Sequence, residues 1–395
     1  MSGHRTVVLL IAAALGGCGG AGGGGAGGAG GAAGGGAGGS TGPVPDAGVE
    51  PPPADPCTAS GTCPANTWVN VTPMGLVPPM EGLRSVVPDP LRPSDFYMAS
   101  GAAGIWKSTD YGNRWTKVNK GFGYLAQGLC LAVLPKQPAA TLLLASACAC
   151  GKIHKSTDGG ATFNDTGGGL PGDLYSFNVD PNNGNHIISG LHEMDGIAES
   201  NDAGATWRIV GATGFPRGGV SWYPFFIDTG SADTTAKTWI AIAQNGGSPV
   251  ITRNGGGDWT IPPGVQGLTH PHGNTQIFQR GSTIFIGGQN GPTGSGVYRS
   301  TDDGGSFTKV SSATDVSVVW GTPSHVYSMF SWSCYGCPID PNFMVGSASG
   351  DSWTKPGVPK GMLMGADHVA VSSDGQRQIF VAAMRSSGIW RFVEQ

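Results

Sequence analysis

The chain of 395 residues carries a formal net charge of -4 and is only 12% Asp, Glu, Lys and Arg, against roughly 25% in an average soluble domain. It lacks the basic footprint that a phosphate backbone selects, so nucleic acid is not expected as a partner.

Ser2 to Arg5 form a short basic start and Thr6 to Leu15 an apolar run. At about ten residues this run is too short to span a bilayer and suits the apolar region of a signal peptide. It ends in Leu15-Gly16-Gly17-Cys18, which resembles a bacterial lipobox. The resemblance implies removal of residues 1–17, lipidation of Cys18 and a lipid-anchored place in the bacterial cell envelope, at the outer membrane or cell surface. Gly19 to Gly39 is nearly all Gly and Ala, and Pro43 to Pro56 is rich in Pro, Ala and acid. Neither stretch can bury enough apolar surface to offset its ordering entropy, so residues 18–66 are expected to be a disordered tether.

An exported chain keeps its cysteines oxidised or modified. With Cys18 lipidated, the expected disulfides are Cys57 with Cys63, Cys334 with Cys337, and Cys130 with Cys148, Cys150 being the competitor for the last. The cysteine groups are too widely separated to suggest zinc or copper.

From residue 67 the chain repeats. Lys107-Ser108-Thr109-Asp110-Tyr111-Gly112-Asn113-Arg114-Trp115 returns as Ser156 to Phe163, Ser200 to Trp207 and Ser300 to Phe307, with decayed copies at Thr252 to Trp259 and Gly346 to Trp353. The first repeat reads as four short β-type runs separated by Gly, Pro and Asp turns: Leu83 to Val87, Asp95 to Ala99, Gly104 to Lys107 and Trp115 to Val118. Four strands in roughly 44–52 residues make a propeller blade. The last segment, Val369 to Phe392, has only three such runs, while Thr67 to Val71 upstream has the Trp and alternation of a fourth strand. The expectation is an all-β, monomeric, single seven-bladed propeller over residues 67–395, its seventh blade a composite of both chain ends.

The turn Ser-x-Asp-x-Gly-x-Thr-Trp resembles the Asp-box, or bacterial neuraminidase repeat. In it the carboxylates of Asp110, Asp158, Asp202 and Asp302 cap backbone N–H groups, the Gly takes a positive φ and the aromatic ring packs between sheets. These aspartates are structural, and the resemblance places ligands on the opposite rim, built from second-to-third strand loops and blade connections. Sialidases resemble the chain in repeat and fold; Arg84, Arg217 and Arg385 fall near that rim, but Leu83-Arg84-Ser85 stands where the family's arginine signature belongs, and no tyrosine and glutamate pair by motif. Xyloglucanases resemble it down to Gly104-Ile105-Trp106-Lys107-Ser108-Thr109-Asp110. Those enzymes invert and need two carboxylates about 6.5–9.5 Å apart, yet Gly101-Ala102-Ala103-Gly104 occupies the loop where the resemblance places one of them. They usually have two propellers, and one fits here. Sortilin-type and photosystem-assembly propellers share the repeat without hydrolysis.

Candidate ligand-binding residues on the second rim are Arg217, Trp222, Tyr223, Trp320, Trp332, Tyr335, His192, His270 and His368, the aromatic ones as flat faces for sugar rings or peptide side chains. Suspect acids for a glycosidase are Glu193, Asp195, Asp340 and Asp367. His192, His270, His272 and His368 lack the spacing of a metal site, and no metal or cofactor is expected. The sequence thus suggests a surface-displayed protein that binds or scaffolds a glycan or protein ligand, with glycoside hydrolysis as the alternative.

Overall fold

The computed structural model describes residues 55, 57, 60, 64–76, 83–100, 104–118, 129–134, 139–146, 152–166, 170, 172–192, 194–211, 213–217, 221–270, 275–311, 315–331, 339–384 and 387–395. The expected signal peptide, Cys18 and most of the tether lie outside them, as do Cys63, Cys148, Cys150, Glu193, His272, Trp332, Cys334, Tyr335, Cys337 and Arg385.

Seven antiparallel sheets form the blades of a β-propeller. Blade 1 runs from Leu83–Asp89 to Thr116–Lys117, blade 2 from Leu129–Leu134 to Asn164–Asp165, and blade 3 from Asn178–Asp180 to Arg208–Val210. Blade 4 has Trp222–Phe226, Trp239–Ala243 and Val250–Thr252, and its outermost strand shrinks to a single bridge between Ile251 and Thr260. Blade 5 runs from Phe278–Arg280 to Thr308–Lys309 and blade 6 from Val318–Gly321 to Trp353–Thr354. Blade 7 joins His368–Ser373, Gln378–Met384 and Gly388–Glu394 to the N-terminal Val69–Asn70, with Val69 opposite Arg391 and Asn70 opposite Trp390. The composite blade expected from the complementary ends is present.

Alternating side chains point to opposite faces of each sheet, so every blade buries both faces against its neighbours. On blade 1, Val86 and Met98 pack on blade 7 beside Val381, while Tyr97 and Ala99 pack on blade 2 beside Leu131 and Leu142. Apolar layers of this kind fill each of the remaining blade interfaces.

The Asp turns tie these layers at one rim. Ser108 Oγ donates to Asp110 Oδ1 (2.9 Å) and accepts from Gly112 N (2.9 Å), Arg114 N donates to Asp110 Oδ1 (2.9 Å), and Trp115 Nε1 closes on Gly112 O (3.1 Å). Gly112 has φ +79°, and a Cβ there would lie 2.5 Å from Val381 Cγ2 of blade 7, so both conformation and contact require glycine. In the decayed copy of blade 4, Asn254 Oδ1 accepts from Thr252 Oγ1 (2.9 Å) and Asp258 N (2.9 Å). An amide therefore does the work of the carboxylate, which identifies the role as capping.

Asp158 makes the turn testable. Hydrogen bonds from the side chain and backbone of Thr162 hold its pKa down to about 2. Its folded value lies below that of the unfolded chain, so its contribution is present above pH ~4 and is lost as pH falls through about 2. Asp158→Ala is expected to cost about 1 kcal/mol at pH 7, as for loss of a capping side chain, and Asp158→Asn much less, given Asn254. Thermal midpoints measured across this pH range check both statements; an Ala variant as stable as the parent at pH 7 refutes them.

The hairpin register corrects one expectation. Cys130 stands opposite Ala145, and Leu129 opposite Ser146, while Cys148 lies outside the described residues. Cys130 instead carries a buried thiol that donates to Leu174 O of blade 3 (3.3 Å) and belongs to the apolar layer between blades 2 and 3. Cys57 is disulfide-bonded; Cys63, the partner expected for it, lies outside the described residues. Upstream of residue 67 the chain already packs on the propeller: Asp55 is fully buried beside Arg391, and Asn66 N donates to Val393 O (2.9 Å). Among the described residues no helix is long and apolar enough to cross a membrane.

Candidate functional site

Turns between third and outermost strands put the Asp residues on one rim; the starts of the innermost strands and the second-to-third loops lie on the other. Between the innermost strands is a cavity of about 270 Å³, lined by residues of blades 1, 2, 3, 4, 5 and 7, among them Ser85, Cys130, Asn178, Tyr223, Gln276 and His368. Among the described residues blade 6 contributes nothing to it. The reason is Gln276, whose Nε2 donates to Val369 O (2.9 Å) and whose Oε1 accepts from Val369 N (3.0 Å), clamping blade 5 to blade 7 in front of blade 6. The innermost strand of blade 6 hangs behind this clamp, Val319 N donating to Gln276 O (3.0 Å).

At the rim opposite the Asp turns, rings of adjacent blades form a row. His192 stacks on Tyr175 with ring centres 4.7 Å apart and planes 5° apart; Tyr175 meets Tyr223 edge-on at 5.6 Å, and Tyr223 lies 5.9 Å from His270. Local backbone pairing sets the stack: Tyr175 N donates to Gly190 O (2.9 Å) and His192 N to Asp173 O (3.0 Å). His192 is half-buried, whereas Tyr175, Tyr223 and His270 are buried. Three of the expected residues are thus brought together, with Tyr175 as the link. Tyr175 was not among the candidates; an aromatic residue at the rim end of an innermost strand, as Tyr223 is, was the signal that could have found it.

His368 opens the innermost strand of blade 7. A carbonyl only accepts, so the Nδ1 facing Val86 O (2.6 Å) carries the proton and Nε2 keeps its lone pair. Burial is the main cause of a pKa below the usual imidazole value, outweighing the Val86 bond and the nearby Asp367.

Other candidates sit elsewhere. Trp222 is fully buried between blades 3 and 4 against Phe215, and Trp320 between blades 6 and 7 against Trp68, Tyr327 and Phe343. Both point along the sheet faces rather than into the channel, which corrects their assignment to ligand binding. Asp340 pairs with Lys355 (2.6 Å), next to the outermost strand of blade 6, and so belongs to the perimeter; that ammonium and Asn342 N hold its pKa below the usual carboxylate value. Asp367 is buried and accepts from Ser331 Oγ (2.6 Å). Asp195 and Arg217 are exposed. Among the described residues no carboxylate lines the cavity, and no group of three His, Cys, Asp or Glu is placed to hold a metal ion.

No family model matches the chain. Over 260 residues, 58% of the chain, it is 24% identical to a xyloglucanase of Paenibacillus sp, covering 21% of that protein. It is 31% identical over 150 residues, 31% of the chain, to a xyloglucanase of Hypocrea jecorina, covering 18% of it. The chain thus spans about a fifth of the length of the curated relatives it matches. The crystal structure of a GH74 xyloglucanase from Xanthomonas campestris superposes with a TM-score of 0.59 at 17% identity, over 82% of this chain and 53% of that one, a likeness of fold. Relatives that are glycoside hydrolases weigh for the hydrolytic alternative and against the expectation of a binder without activity.

Proposed function

We propose that the protein is glycan-directed and engages a neutral polysaccharide of the xyloglucan type on the rim opposite the Asp turns. The carrying observation is the ring row His192, Tyr175, Tyr223 and His270, in which half-buried His192 offers a flat face for a sugar ring and the buried rings hold it in place, in a chain whose sequence is similar to two xyloglucanases.

Hydrolysis is the reading the relatives favour. With inversion it requires an acid and a base about 6.5–9.5 Å apart across the bound chain; exposed Asp195, with Glu193 close to it in sequence, is the rim acid to test first. Binding without cleavage is the reading favoured by a cavity with no carboxylate among its described lining residues.

A titration of the full chain with xyloglucan oligosaccharides, run beside an assay for new reducing ends, separates the two. Oligosaccharide binding is expected, with His192→Ala raising Kd about tenfold, the size of one lost anchoring contact. Release of reducing ends that disappears in Asp195→Asn establishes hydrolysis. A chain that neither binds nor cleaves these glycans overturns the proposal and turns attention to a protein ligand.

A further inference from the structure

The polar groups around the central cavity divide into those spent on the protein and those left over. Gln276 is used at both ends on Val369, Gln279 donates to Asp228 O (2.6 Å) and Gly281 O (2.8 Å) and accepts from Asp228 N (2.9 Å), and Thr275 Oγ1 donates to Ser317 O (2.8 Å). Three more groups come from separate blades. Asn178 Oδ1 accepts from Phe226 N (2.8 Å), which fixes the amide and leaves its NH2 with no protein partner among the described residues. His368 is fixed through Nδ1 on Val86 O, which leaves Nε2 likewise. Ser85, 5% exposed, borders the same cavity.

These groups come from blades 3, 7 and 1 and meet in one cavity: an amide that donates, an imidazole nitrogen that accepts and a hydroxyl that does both. Each is held by a bond or by packing rather than left to rotate on the surface. Asn178 and His368 are half-buried and Ser85 is buried at the cavity wall, so these groups are satisfied by water or by an occupant with matching hydrogen bonds. Vicinal sugar hydroxyls, which donate and accept, supply that pattern without charge. The cavity's 270 Å³ lies just below the roughly 300–1,000 Å³ of sites for drug-sized ligands, which suits a single ring rather than a chain segment.

We infer that the channel is a pocket for one neutral sugar ring, a chain end or side branch, held by Asn178 Nδ2, His368 Nε2 and Ser85 Oγ while Tyr175 and Tyr223 supply the apolar wall. This rests on the glycan-directed reading and adds to it the mode of entry: end-on into the channel, not along the rim alone.

The test uses near-isosteric changes in the full chain. Asn178→Asp retains the acceptor for Phe226 N and removes the NH2; His368→Asn retains a donor toward Val86 O and removes the inward nitrogen; Ser85→Ala removes the hydroxyl. With a branched xyloglucan oligosaccharide as titrant, each is expected to raise Kd about tenfold, the effect of one lost buried hydrogen bond. Free xylose or glucose should compete with the oligosaccharide, and glucuronate should not. Thermal midpoints confirm that the variants are folded; should one of them unfold, the other two and the sugar competition still decide. If the three variants bind within about twofold of the parent while His192→Ala still weakens binding, the channel inference is overturned and the rim reading stands. If the parent binds no oligosaccharide, both fall.

Discussion

Trp68→Ala is expected to lower the thermal midpoint by roughly 6–10 °C, from about 3–5 kcal/mol for a buried Trp→Ala change and roughly 2 °C per kcal/mol in a domain of this size. Trp68 is 3% exposed, with its ring 5.1 Å from Phe392, 5.6 Å from Phe343 and 6.4 Å from Trp320. It lies at the interface of blades 6 and 7, immediately before the strand that closes the ring. That strand is short: two register pairs, extended by Val71 N donating to Ile389 O (2.9 Å). Backbone pairing of that length is not stable alone, so the indole anchors the strand. Losing it also bares the edge of Gly388–Glu394, an open template for another chain, and association on heating should accompany the lower midpoint. Val69→Ala is the control, since Val69 is 37% exposed and its loss should cost below about 0.5 kcal/mol. Differential scanning fluorimetry with light scattering reads both effects; a Trp68→Ala midpoint equal to that of Val69→Ala would show that the closing strand is held by something else.

The architecture was legible because each Asp turn is a local device. Ser108, Asp110, Gly112 and Trp115 satisfy one another within eight residues, and the Ser, Asp and Gly counterparts do the same in blades 2, 3 and 5, so the turn is readable there from sequence. The composite blade was legible for a similar reason, a missing strand at one end and a surplus strand at the other. Features set between blades were not. Period two places Trp222 and Tyr223 on opposite sheet faces, but which of them borders the channel depends on how blade 4 leans on blades 3 and 5, and only Tyr223 does. Trp320 was lost to the channel through Gln276, a residue of the preceding blade. The register of blade 2 sets Ala145 opposite Cys130, since the first and second strands pair as Leu129 with Ser146 through Leu134 with Thr141. Asn178 and Ser85 carry no motif; their standing comes from the cavity they border.

The segment around Asp55 was the other feature hidden in the sequence, and it yields the second large effect. Residues 43–56 have the composition of a spacer, yet Asp55 is completely buried. Its partner, Arg391, is 4% exposed and lies on the third strand of blade 7, opposite Val69. The guanidinium pairs with Asp55 Oδ2, donates through Nε to Tyr111 O in the Asp turn of blade 1 (2.8 Å) and through an Nη to Cys57 Sγ (3.2 Å). Asn113 Nδ2 of the same turn donates to Asp55 Oδ1 (2.8 Å). One arginine therefore fastens the incoming segment, the closing blade and the first blade together. Removing one partner of a buried pair strands the other charge, so Arg391→Met is expected to cost about 3–5 kcal/mol. Asp55→Asn with Arg391→Met should cost less than the sum of the single changes, because the stranded charge is gone. Neither loss should respond to salt, since a buried pair is little screened, whereas the exposed Lys355 and Asp340 pair should contribute under about 1 kcal/mol and fade at about 0.5 M NaCl. A chain begun at residue 67 lacks Asp55 and strands Arg391, so it should lose stability in the same range as Arg391→Met. Denaturant titrations of the truncation, the single variants and the double variant decide the matter: additive losses, or a truncated chain as stable as the full one, would show that the clasp contributes nothing to closing the ring.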